Sequence, residues 1–321
     1  MSLSTAELSF IQQVSDAVST LSLLGSLFIV FCYVRFSSLR EKASFRLVFC
    51  LSVSDLCNHI FDFVGPNAAE ISAMKSGQPT SSSCYAQALG NAEFELSSVL
   101  WTTVIAAVLY AQVVLGVRQE RVERSFFYIS AAAWGTPLCL AILPILVEGP
   151  GVYGVAGSWC WIKGMYPGWI FSVFYLPIWA AMCFNCFAHV RIKRRLEAMS
   201  TGGALTDAAT AAKLALVMER LKYYPFVLIV VWLPASVSRI VEASAGRQFF
   251  GLFIFHRIFS SAQGLLNALA YGLSRTVREA LHTDLYRIFP NCVSPPPQQL
   301  SDAAVTEPTG GGEEHKSKII H

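Results

Sequence analysis

The sequence predicts an all-α membrane protein, a bundle of seven transmembrane helices followed by a short amphipathic helix. Three observations carry that expectation: an apolar composition, seven stretches long enough to cross a bilayer, and basic residues that alternate between connections. Hydrophobic residues make up 54% of the chain and charged residues 14%, against roughly 25% charged in a soluble domain. Mean hydropathy is +0.49. A soluble monomer of this composition would expose large apolar patches, which such proteins avoid, so lipid is the solvent for much of the surface.

A helix needs about 20 predominantly apolar residues to cross the hydrocarbon core. The stretches that qualify are Val14–Phe36, Phe45–Gly65, Tyr85–Val117, Phe126–Val147, Trp169–Val190, Tyr223–Ala243 and Phe249–Leu273. The third is overlong and is expected to project into the cytoplasm. The first is read as a span and not a cleaved signal, since Met1–Gln13 has no basic segment and no small-residue cleavage site follows. This divides the chain into an extracellular N-terminus at 1–13, the bundle at 14–273, an amphipathic juxtamembrane helix at 274–289 and a disordered tail at 290–321.

Connection charge sets the orientation. Arg35, Arg40, Lys42 and Arg46 flank the first connection, Arg118, Arg121 and Arg124 the third, and Arg191, Lys193, Arg194, Arg195, Lys213, Arg220 and Lys222 the fifth. The other side carries Lys75, Lys163 and Arg247. The positive-inside rule places the odd connections and the C-terminus in the cytoplasm and the N-terminus outside. Seven crossings agree with that parity. The protein is expected in the plasma membrane. Ser200-Thr201-Gly202-Gly203 within Glu197–Ala208 breaks the helical pattern between the fifth and sixth stretches. Val277, Leu281, Leu285 and Ile288 share one face of a helix suited to the inner leaflet, and the segment after Pro290 has little to bury.

Cys84 opens the third stretch, and Trp159-Cys160-Trp161-Ile162 sits in the second external connection. With Phe174-Tyr175-Leu176-Pro177 and Ser97-Ser98-x-x-Trp101-Thr102, these runs resemble the slime-mould cyclic-AMP receptor branch of seven-helix G-protein-coupled receptors and its plant and protist relatives. The resemblance spans Val14 to Phe289. It implies a receptor that couples an extracellular small molecule to a heterotrimeric G protein, and a disulfide between Cys84 and Cys160. Both cysteines lie on the oxidising side, where such a bridge persists. Most other cysteines fall inside apolar blocks and read as small hydrophobes; none has metal spacing.

Matches to the wider receptor superfamily mark a switch. Leu51-Ser52-Val53-Ser54-Asp55 resembles the helix-two motif ending in a buried Asp. Asn267-Ala268-Leu269-Ala270-Tyr271 resembles the helix-seven motif with Ala for its Pro, and Val231-Trp232-Leu233-Pro234 the helix-six Trp-x-Pro motif without its Cys. Asp55, Ser98 and Asn267 fit either a sodium or water site or a structural hydrogen-bond cluster. Pro234 removes a backbone donor and bends its helix, which serves either a pivot beside Trp232 or a passive kink. At the end of helix three only Tyr110 matches the usual Asp/Glu-Arg-Tyr triplet. That leaves Arg118, Arg121, Arg194, Arg195 and Arg220 as the G-protein face, or as topology determinants that touch membrane lipids.

Arg239 and Arg257 lie within spans, where charge is expensive and marks function. With Glu95, Trp161 and Lys163 they are the candidate ligand residues. They either clamp an anion such as a cyclic nucleotide or pair with Glu93, Glu95 or Glu242 to hold helices together. A transporter or channel is the alternative function, disfavoured by the lack of internal repeats. A retinal protein needs a Lys in the last span, and Phe249–Leu273 has none. His59, His189 and His256 are isolated, which argues against an intramembrane enzyme. No cofactor is called for, and no basic-aromatic run suggests nucleic acid. Ser294, Ser301, Thr306 and Thr309 are candidate phosphosites for an arrestin-like partner, and Cys292 is a candidate for palmitoylation.

Overall fold

The computed structural model of the protein describes residues 4–201, 224–272, 274–290 and 294. Arg220, the break after Thr201, and the tail sites Cys292, Ser301, Thr306 and Thr309 lie outside the described residues. The first span, α1 (Thr5–Arg35), starts well before Val14. The reason is local: Ser4 and Glu7 form a reciprocal capping box, and Leu8 and Ile11 are buried. The segment read as an N-terminal extension is thus mostly the first turns of the bundle.

A short turn at Ser37–Arg40 leads to α2 (Ala43–Val64), and the Ala68–Lys75 helix leads to α3 (Ser82–Val113). The Ser81 hydroxyl caps α3 by accepting from the Cys84 N–H at 3.2 Å. Gln119–Arg124 forms a short helix before α4 (Phe126–Glu148). The α5 helix runs through Pro167–Ile170, a π turn at Phe171–Tyr175, and Leu176–Thr201. It therefore continues through Glu197, where a loop was expected to begin. Tyr224–Ala245 is α6, with Pro234 inside it.

Among the described residues, six helices are long and apolar enough to cross a membrane. The seventh, α7, is built from Phe250–Ser261, Gln263–Asn267 and a π turn at Ala268–Gly272. Its break at Ala262 leaves no single piece of spanning length. The α3 helix is central and touches α2, α4, α5 and α6, while α1 packs on α2 and α7. The described residues from Arg275 onward belong to a second unit, whose helix, α8, covers Arg275–Ile288.

Two large apolar clusters and a smaller one around Ala188 and Ile192 lie along the bundle among the described residues. In the large cluster away from the disulfide, Trp101 is fully buried, edge-on to Trp134 at 5.2 Å. Trp134 Nε1 donates to Ser54 Oγ at 3.0 Å, and Ser54 shares a 3.1 Å hydrogen bond with Ser97. This joins α2, α3 and α4. Truncation of Trp101 empties that junction, so Trp101→Ala should cost about 3–5 kcal/mol, read as a lowered thermal midpoint in nanodiscs.

Candidate functional site

Between α4 and α5 the chain folds into a hairpin of β1 (Tyr153–Val155) and β2 (Cys160–Ile162), paired antiparallel with Gly154 opposite Trp161. The turn needs Gly157 twice over. Its φ is +106°, and a Cβ there would lie 2.2 Å from the Phe253 ring. The Cys84–Cys160 disulfide ties β2 to the first turn of α3. Beside it, Cys160 N–H donates to Gln87 Oε1 at 2.8 Å, and Gln87 Nε2 donates to the Asp62 carbonyl at 3.2 Å. Tyr153 donates its phenol to the Ala141 carbonyl at 2.8 Å, and burial pushes that phenol's pKa up. Trp159, Cys160, Trp161 and Ile162 are all buried. The hairpin is a plug set into the mouth of the bundle.

Beneath the plug lie the two arginines. Arg239 (α6) donates to Glu242 Oε2 at 2.5 Å, and its guanidinium faces both the Trp159 and Trp161 rings at 5.3 Å. Arg257 (α7) sits 4.4 Å from the Trp159 ring, donates to Ser15 Oγ at 2.7 Å, and approaches Asp62 Oδ1 at 3.6 Å. Asp62 also accepts from Ser19 at 3.0 Å and Asn91 at 3.0 Å, and meets His59 Nδ1 at 3.3 Å. Of the partners expected for the arginines, Glu242 is correct for Arg239. Arg257 takes Asp62 instead, because α7 packs on α1 and faces α2. The signal for Asp62 was its own depth within an apolar stretch.

Glu95, Trp161, Phe174, Tyr175, Trp232 and Ser260 close the space around the guanidiniums, leaving about 10 Å³. That is about the room of a single water, so the space around the guanidiniums is almost filled by side chains. Arg239 Nε and Nη2 and Arg257 Nε are buried without a hydrogen-bond partner among the described residues. Lys163 is not in this chamber: its side chain lies across Gly154 on the hairpin's outer strand.

One layer deeper, Asp55 is saturated. Ser98 Oγ donates to Oδ1 at 2.5 Å, Asn267 Nδ2 to Oδ2 at 2.8 Å, and Gln263 Nε2 to Ser98 Oγ at 2.5 Å and to Oδ1 at 3.5 Å. Two amide donors point at the carboxylate where a sodium ion would need oxygens. Beside them Gln263 Oε1 is buried without a hydrogen-bond partner among the described residues. Gln263 completes this layer and was not foreseen; its place four residues before Asn267, on one helical face, is the available signal.

Trp232 is buried two residues before Pro234, edge-on to Phe174 at 5.4 Å. Tyr110 lies apart from it, with its ring 5.7 Å from Phe187 on α5. Tyr271 is buried in the π turn of α7. At the end away from the plug, Arg118, Arg121, Arg194 and Arg195 are exposed. A cavity of about 340 Å³ opens there, lined by Arg46, Val108, Leu109, Gln112, Gln119 and Tyr271.

Seven helices, a disulfide-tied hairpin over a polar chamber, and a buried Asp–Asn layer define a receptor of the G-protein-coupled class. The chain matches the slime mold cyclic AMP receptor family over residues 5–280 and belongs to it. It is 31% identical over 297 residues to G-protein coupled receptor 1 of Arabidopsis thaliana, covering 90% of this chain and 85% of that one. It is 27% identical over 258 residues to cyclic AMP receptor-like protein A of Dictyostelium discoideum, covering 80% of this chain and 62% of the relative. The squid rhodopsin structure superposes with a TM-score of 0.70 at 15% identity, over 99% of this chain and 92% of that one, which establishes the shared fold.

Removing one member of a buried ion pair strands the other, at about 3–5 kcal/mol. Arg257→Ala should therefore lower the thermal midpoint sharply, and adding Asp62→Asn to it should recover part of the loss. A double variant no more stable than Arg257→Ala would contradict the pairing.

Proposed function

We infer that the plug faces the outside of the cell at the plasma membrane, and that an extracellular small molecule bearing an anionic group signals through the chamber beneath it. The carrying observation is Arg239: its Nε–Nη2 edge is buried with no hydrogen bond of full geometry, faced by the Tyr175 phenol, while its face is held by two hairpin tryptophans. A phosphate or carboxylate meets that edge as a bidentate acceptor. Cyclic nucleotides are the leading candidates, since relatives in this family carry cyclic AMP receptor in their names. Glu95, on the opposite wall, is suited to a hydrogen-bond donor of the same ligand. Because the chamber has room for only about one water, a ligand fits only if the hairpin or α6 yields.

Arg239 and Trp232 are seven residues apart, two turns along one face of α6. A ligand that draws Arg239 away from Trp159 and Trp161 repacks Trp232 against Phe174 and turns α6 about Pro234. The population of a second α6 position then rises by as much as the ligand's preference for it. The arginine-rich end, with Arg118, Arg121, Arg194, Arg195 and Arg220, is the cytoplasmic face that meets the heterotrimeric G protein, and later an arrestin-like protein. The same arginines contact lipid phosphates.

A G-protein dissociation assay in intact cells, run against a ligand panel that includes cyclic nucleotides, tests this reading. Arg239→Ala should abolish the response to the active anionic ligand at unchanged surface expression. A response equal to that of the unaltered receptor would contradict it.

A further inference from the structure

A hydroxyl from α1 is inserted into the backbone ladder of α7. In an unbroken helix the Leu265 N–H would donate to the Ser261 carbonyl, four residues back. Here it donates to Ser22 Oγ at 3.2 Å, and Ser22 Oγ donates onward to the Ser261 carbonyl at 2.5 Å. The hydroxyl bridges the two groups it separates, and α7 is broken at that point, Ala262. A side chain wedged into the ladder is one of the few physical causes of a sharp helix bend. No proline takes part, since α7 contains none.

The surroundings fix the hydroxyl in place. Ser22 is fully buried. A Cβ on Gly264 would lie 2.7 Å from Ser26 Oγ, 3.0 Å from His59 Nε2 and 3.1 Å from the Ser22 carbonyl, and one on Gly25 would lie 2.9 Å from the Ala268 Cβ. The two helices therefore approach closely just past the wedge. Immediately beyond the break come Gln263 and Asn267, which reach Asp55 from α7.

We propose that Ser22 is a positioning residue for signalling: its hydroxyl holds α7 open at Ala262 and so sets the bend that presents Gln263 and Asn267 to Asp55. Without it the Leu265 N–H closes onto Ser261, the helix straightens, and the segment from Gln263 to Tyr271 moves relative to α1. This joint is separate from the ligand chamber, so its test does not depend on any ligand.

The test uses the full chain in lipid nanodiscs, with the exposed Cys139 and Cys183 replaced by alanine. Spin labels go at Val34→Cys and Leu269→Cys, both exposed on the bundle surface, and pulsed electron resonance reads the distance between them. A change in bend of ~20°, acting over the ~10 Å from Ala262 to Leu269, should move that distance by on the order of 3 Å in Ser22→Ala. Labels at Phe10→Cys and Phe255→Cys, on the other side of the break, should keep their separation. Ser22→Thr retains the hydroxyl and should restore the original Val34–Leu269 distance. An unchanged distance in Ser22→Ala, or an equal shift in Ser22→Thr, would overturn the proposal. If Ser22→Ala yields no folded protein, Ser22→Val, which has the shape of Ser22→Thr without its hydroxyl, carries the test. The same displacement is expected there, and no displacement would overturn the proposal.

Discussion

Two guanidinium groups buried in a lipid-embedded bundle must be neutralised from within the protein, and the way this is done organises the plug end of the molecule. An unpaired charge at that depth costs several kcal/mol. Arg257 therefore draws α7 to Asp62 on α2 and Ser15 on α1, while Arg239 keeps Glu242 on its own helix and turns its face to the hairpin. Trp159 meets both cations. The hairpin is thus joined covalently to α3 through Cys84–Cys160 and by ring–cation contacts to α6 and α7. A loop held in this way is part of the core, and the chamber it seals is defined as much by the loop as by the helices.

Below the chamber, α6 and α7 each carry a local fault in their ladders. In α6 it is Pro234, two residues beyond Trp232. In α7 it is the break at Ala262, followed by a π turn that contains Tyr271. Faults of this kind concentrate bending at a few residues, because the intact turns on either side remain stiff. Contacts at Arg239 and Arg257 are therefore well placed to be felt at the far end of the same two helices. The Asp55 layer lies between, where four polar side chains are hydrogen-bonded across α2, α3 and α7. Such a network stays rigid while complete and is costly to break in part.

The span count and the Asp55–Ser98–Asn267 layer were legible in the sequence, for different reasons. Spans follow from hydropathy, since lipid demands long apolar helices. The layer and the disulfide came through family resemblance, which carries pairings that periodicity cannot supply. Pairings outside the family motifs were not legible: Asp62 with Arg257, Gln263 with Ser98, and Ser22 within α7 all depend on helix rotation and offset. One signal was available and unread. Ser15, Ser19, Ser22 and Ser26 recur at helical spacing on α1, and all four are buried, so that face was marked as polar contact with neighbouring helices. The early start of α1 was hidden because Gln12, Gln13 and Asp16 interrupt the hydropathy, although the Ser4–Glu7 capping box was in plain view.

The central claim is that the 153–162 hairpin is a buried plug and not a surface loop. Hydrogen exchange followed by mass spectrometry, on the oxidised full chain in nanodiscs, tests it most directly. The account predicts that the hydrogen-bonded amides of the hairpin, Ala156 onto Trp159 and Cys160 onto Gln87 among them, exchange as slowly as those in the middle of α3, because they are held out of contact with water. Exchange as fast as that of the exposed turn around Gly77 would contradict it.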